Sequence, residues 1–146
     1  MAELTVEDIW SLDDYREQRD DYCAKVISYK LNRQVELMYA GQPKGWLHFE
    51  DAITVRHQVQ EMLFESGEDS EDAIVRELSR YQSLIPDGTN LKATLIIDLS
   101  DPQMLARVAG VARDLKLAIS GFDAIGPEDN PLIDEISTVY FLTWAL

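Results

Sequence analysis

From Leu91 to Leu99 the residues alternate: Leu91, Ala93, Leu95, Ile97 and Leu99 fall on one side of an extended chain, Lys92, Thr94, Ile96 and Asp98 on the other. A period of two with one apolar face fits a strand covered on one side, the habit of antiparallel sheets. Ser137 to Leu146 repeats it, with Tyr140, Leu142, Trp144 and Leu146 against Val139, Phe141 and Thr143. Gln34 to Tyr39 alternates too, and Gly45 to Phe49 follows across Ala40-Gly41-Gln42-Pro43-Lys44, a linker with the glycine and proline of a turn, so the pair reads as a β-hairpin. Leu117 to Phe122 is a further short strand.

Between these stretches the apolar spacing changes to three and four. Leu12, Tyr15, Tyr22, Cys23, Val26, Ile27 and Leu31 predict a helix to about Asn32, with a polar gap at Arg19. Ser11 stands at its start, Asp13, Asp14 and Glu17 follow, and Lys25, Lys30 and Arg33 gather toward its end, the charge order that suits the helix dipole. Val55, Val59, Met62 and Leu63 form the apolar face of a second helix, begun at Glu50 or Asp51 and ended by Ser66-Gly67-Glu68-Asp69; its polar face is Thr54, His57, Gln58, Glu61 and Glu65. Ser70 caps a third helix, with Ile74, Leu78, Tyr81 and Leu84 on one side and Pro86-Asp87-Gly88 as its stop. Ser100-Asp101-Pro102 starts another, carrying Met104, Leu105, Val108, Val111, Ala112 and Leu115. Helices and strands intermix without a βαβ repeat. The expected class is α+β: a mostly antiparallel sheet of about five strands with helices packed on one face, in one domain spanning 1–146.

Charge narrows the partners. Lys and Arg total 13 against 27 Asp and Glu, a formal net charge of −14. Such a surface repels phosphate backbones and anionic lipid, so neither nucleic acid nor membrane is an expected partner; a protein with a basic surface is. The single cysteine, Cys23, excludes an internal disulfide and a cysteine-rich metal cluster, and its place on the apolar stripe reads as a small buried hydrophobe. No stretch approaches the ~18 apolar residues of a membrane span. The acidic N-terminus lacks a signal-peptide core, so a cytoplasmic location is expected.

No Gly-rich phosphate loop, GxSxG elbow or HExxH helix is present, and the two histidines, His48 and His57, leave nucleophilic-triad chemistry poorly supported. The best polar constellation is His57, Glu61 and Glu65, spaced by four on one helix, with Glu77 on the next. A histidine with two or three carboxylates suits Zn, Mn or Fe, although the Glu-x-x-His spacing of di-iron bundles is absent. The same spacing marks any solvated stripe, and Arg56, Arg76 and Arg80 are at hand to pair with these acids. No cofactor is expected; a divalent metal on Glu61, Glu65, Glu77 and His57 is the alternative.

Three stretches carry a resemblance: Phe49-Glu50 followed by Gln58-Val59-Gln60-Glu61-Met62-Leu63 and Glu65; Glu77-Leu78 with Tyr81 and Leu84-Ile85-Pro86-Asp87-Gly88-Thr89-Asn90-Leu91; and Val139-Tyr140-Phe141-Leu142. In order and spacing, from Leu4 to Leu146, the chain resembles the bacterial family called domain of unknown function 3501. The resemblance marks Glu50, Gln58, Glu61, Glu65, Glu77 and Tyr81 as binding candidates. Members are often encoded beside rubrerythrin-like and iron–sulfur electron-transfer proteins, which implies a role near redox or peroxide metabolism. The first functional expectation is a non-enzymatic accessory or protein-interaction domain. The alternatives are a metal-dependent or redox-linked enzyme using the helix-borne carboxylates, and a small-ligand domain with a site between the helical pair and Ser137 to Leu146.

Overall fold

A computed structural model describes residues 3–39, 41–98, 103, 115–118, 125–128 and 139–146. The fold is α+β. Among the described residues it comprises three α-helices and a four-stranded antiparallel sheet. The contacts divide the chain into two compact units, Met1–Arg33 with Glu50–Asp87, and Gln34–Phe49 with Gly88–Leu146.

The second unit holds the sheet. Strands β1 (Gln34–Tyr39), β2 (Gln42–Phe49), β3 (Asn90–Ile97) and β4 (Val139–Ala145) lie in the order β1-β2-β3-β4, each antiparallel to its neighbour. Gly41 turns the β1–β2 hairpin at φ 79°, a conformation open to glycine and strained for other residues. The alternation read in the sequence sets the buried face: Leu47, Leu95 and Tyr140 form one cross-strand row, with Ala93, Ile97, Leu142 and Trp144 around it. Trp144 is fully buried, and its indole N–H donates to the Leu115 carbonyl at 3.0 Å. The four strands among the described residues agree with the mostly antiparallel sheet of about five expected. The strand foreseen over Leu117 to Phe122 is represented by one isolated antiparallel bridge, Leu117 with Ile125. Its residues 119–122 lie outside the described residues, as does the helix expected from Pro102 to Leu115 apart from Gln103 and Leu115.

The first unit is helical. Helix α1 (Leu12–Leu31) begins at Ser11, whose hydroxyl accepts from the Asp14 N–H at 3.2 Å. Helix α2 (Ala52–Ser66) begins at Asp51. Its Oδ1 accepts from the N–H groups of Ile53 and Thr54, and Thr54 Oγ1 accepts from the Asp51 N–H at 3.0 Å, a reciprocal cap. That role explains why Thr54, expected on the polar face, is buried. Gly67, left-handed at φ 72°, ends α2, and Ser70 caps α3 (Glu71–Tyr81). Val55, Val59 and Leu63 of α2 pack with Ala73, Ile74 and Leu78 of α3 and with Ile9 and Leu12. The expected apolar stripe of α1 stops at Val26; Ile27 and Leu31 are 56% and 59% exposed.

Gln60 fastens the N-terminal segment to α2. Fully buried, it accepts from the Trp10 N–H at 2.7 Å and donates to the Trp10 carbonyl at 3.4 Å. Q60L leaves two backbone groups unpaired in an apolar place. It is expected to cost about 2–3 kcal/mol in urea unfolding, where an exposed glutamine costs almost nothing. A loss below 0.5 kcal/mol would refute this fastening role.

Candidate functional site at the α1–α2 seam

Helices α1 and α2 run antiparallel along one polar seam. Tyr15 and Arg19 of α1 meet Glu61 near the end of α2, Cys23 meets His57 one turn back, and Tyr29 and Arg33 meet Asp51 at its start. Two spacings of four create this: Tyr15, Arg19 and Cys23 on one helix, and His57 and Glu61 on the other.

Glu61 is the hub. Arg19 grips it with two arms, Nε to Oε2 at 3.0 Å and Nη2 to Oε1 at 2.9 Å, and the Tyr15 hydroxyl donates to Oε2 at 2.5 Å. The Arg19 hydrogen bonds, helped by Tyr15 and opposed by burial, hold the Glu61 carboxyl down at about 2. The Tyr15 hydroxyl, whose proton already points at Glu61, is pushed up by burial and by that bond. Cys23 Sγ lies 3.6 Å from the Tyr15 oxygen and 3.5 Å from His57 Nε2. Burial, then the charge of Lys30, lowers His57, so its imidazole is neutral at pH 7. The resting seam thus holds an ionised carboxylate, a guanidinium, a phenol and a neutral imidazole in contact with a half-buried thiol.

Aromatic rings surround these groups. Trp10 and Tyr22 meet edge to face at 4.9 Å, Tyr22 lies 5.7 Å from the His57 ring, and the Arg19 guanidinium sits 4.1 Å over Phe64. The Arg56 guanidinium lies 4.3 Å over Trp10. Tyr22 OH, Arg56 Nε and His57 Nδ1 are buried without a hydrogen-bond partner among the described residues.

The residues singled out in the sequence disperse over the helical unit. Glu61 and His57 lie in the seam. Glu65 is exposed. Glu77 is buried, with Arg80 Nη1 at 3.4 Å and Arg76 Nε at 3.7 Å, so arginines on its own helix balance it. Glu50 is half-buried beside the α2 cap, accepts from Thr54 Oγ1 at 3.3 Å, and is raised by burial. Gln58 is half-buried on α2, and Tyr81 packs on the helical core. Among the described residues, the three potential metal-ligand atoms within 4.8 Å of one another belong to Cys23, His57 and Glu61. Glu65 and Glu77 stand outside that trio. Cys23, read as a buried hydrophobe, is half-buried with its sulfur among polar partners. The polar gap at Arg19, four residues from both Tyr15 and Cys23, is the sequence signal that could have marked this seam.

No curated protein matches this chain. A crystal structure described as a novel protein of unknown function from Burkholderia pseudomallei K96243 is similar, with 31% identity and a TM-score of 0.87. The match covers 99% of this chain and 78% of that one. The family model described as protein of unknown function (DUF3501) matches residues 3–146, and the chain belongs to that family.

Proposed function

We propose that this protein is a non-enzymatic, redox-linked accessory protein of the cytoplasm, acting as one domain, whose working group is the Cys23 thiol beside His57. The observation that carries this reading is the 3.5 Å approach of Cys23 Sγ to a neutral imidazole in a half-buried, reachable position. With its proton on Nδ1, His57 offers Nε2 as acceptor for the thiol proton. A hydroperoxide is the oxidant class that fits the redox link. Thiolate sulfur attacks its distal oxygen, the O–O bond breaks, and the leaving alkoxide takes the proton back from imidazolium. Cys23 ends as the sulfenic acid. Glu61, held by Arg19, fixes Tyr15 against the sulfur.

The test is alkylation of the native chain by iodoacetamide at neutral pH. H57Q is expected to slow Cys23 modification by about tenfold with the fold intact by circular dichroism. Equal rates would end this reading. The charge of −14 supports docking on a basic protein. A stoichiometric basic partner held at low salt and released at high salt is the expected result of a pull-down, and the absence of any such partner counts against docking.

One observation favours a second reading of the seam as a site for a divalent cation: the ligand atoms of Cys23, His57 and Glu61 already lie within 4.8 Å of one another. Of the other binding candidates, the exposed Glu65 belongs to the docking surface, half-buried Glu50 and Gln58 lie on the helix that carries His57 and Glu61 or at its cap, and Glu77 and Tyr81 serve the packing of α3.

A further inference from the structure

We propose that Cys23, His57 and Glu61 take one borderline divalent cation of the Zn2+ or Co2+ class, and that Arg19 is the built-in competitor that controls its entry. The proposal rests on the second reading above and adds the ion class and its regulation.

The donor set chooses the ion. One sulfur, one imidazole nitrogen and one carboxylate oxygen suit Zn2+ and its neighbours; Mg2+ and Ca2+ prefer oxygen alone. A tetrahedral ion with metal–sulfur bonds of about 2.3 Å and metal–nitrogen or –oxygen bonds of about 2.0–2.1 Å sets its ligand atoms roughly 3.3–3.8 Å apart. Cys23 Sγ and His57 Nε2 already stand at 3.5 Å, and all three atoms fall within 4.8 Å. Side-chain rotation closes the remainder. Two ligands come from one turn of α2 and the third from α1, so loading also clamps the two helices together.

Arg19 occupies the position that opposes this. Its guanidinium bonds both oxygens of Glu61, where a cation would bind. The two oxygens are not equal. Among the described residues, Oε2 receives Tyr15 as well as Arg19 Nε, and Oε1 receives Arg19 Nη2 alone. Oε1 is therefore the oxygen with least to lose. An ion that takes it breaks one arm of the Arg19 fork and brings two positive charges beside a third. The displaced guanidinium keeps a resting place over the Phe64 ring at 4.1 Å. Arg19 can yield without being left unsupported. The pair of states, Arg19 on both oxygens or on one, gives the seam a switch between a braced and a metal-loaded form.

The experiment is a titration of the reduced full chain with Co2+ alone, followed by absorption. Binding through Cys23 produces a thiolate-to-cobalt charge-transfer band in the near ultraviolet. The parent chain is expected to develop that band, C23S to lack it, and R19Q to bind on the order of tenfold more tightly through loss of the competing charge. R19K keeps a single-armed charge; its affinity should fall between those of the parent and R19Q, and it serves as the folded comparison if R19Q proves unstable. No band in the parent, R19Q or R19K overturns the metal site and the second reading together. A band of equal affinity in the parent and the Arg19 variants leaves the site standing and overturns the competitor role. Cobalt bound by C23S with parental affinity, read from its visible d–d bands, overturns the assigned ligand set.

Discussion

At neutral pH the E61Q variant melts about 5–10 °C below the parent chain, and the gap narrows steadily as the pH falls below 4.5. Glutamine is nearly isosteric, so the loss is not one of packing. It removes the charge on which three hydrogen bonds converge: both arms of Arg19 and the hydroxyl of Tyr15. Arg19 and Glu61 are only partly covered, so solvent screens part of the attraction, but the two-armed geometry and the short phenol bond make this more than a surface pair. The pH dependence follows from the direction of the shift. Glu61 sits at about 2 in the folded chain against an ordinary 4.5, so the unfolded chain takes up its proton first. Its contribution is complete above 4.5 and is lost as pH falls toward about 2. E61Q has no such proton, so its own stability falls less over that interval. Melting both chains at steps from pH 7 to pH 3 reads the difference. A gap constant with pH would mean that Glu61 acts by shape and not by charge.

The same hub shows what could be read from the order of residues. Strand β3 needed only its own alternation, and the caps at Ser11, Asp51 and Ser70 needed only a residue and the turn that follows. These signals are local. The seam is not. Whether Glu61 meets Glu77 and Arg76 of α3 or Arg19 of α1 depends on how three helices pack, with α1 and α2 separated in the chain by the β1–β2 hairpin, and nothing in any one helix encodes that packing. Read along α1, Arg19 was an interruption of an apolar stripe; placed against α2, it is the partner that keeps Glu61 charged. Glu77 shows the converse: it is buried, and Arg76 beside it and Arg80 one turn on are near enough to balance it locally. The spacing of Cys23 places its side chain on the apolar face of α1 and says nothing of a histidine opposite.

Removal of the Trp144 side chain tests how far the two units depend on each other. W144A deletes the largest fully buried side chain among the described residues, empties the space beside Phe49, and strands the Leu115 carbonyl that the indole N–H satisfied. Truncations of this kind cost about 3–5 kcal/mol, a large share of the 5–15 kcal/mol that holds most domains together. The chain crosses between the units after Arg33, after Phe49 and after Asp87, so neither unit is a continuous stretch. Melting the sheet frees both ends of α2–α3 and the end of α1. The helices are therefore expected to lose their stability with it, in one transition. Cys23 reports on the helical unit and lies far along the sequence from the substitution, so its burst of alkylation on unfolding and the loss of sheet signal in circular dichroism should share one urea midpoint, lowered equally in W144A. If the Cys23 midpoint stays at the parental value while the sheet melts early, the units fold apart, and the proposal that residues 1–146 act as one domain fails.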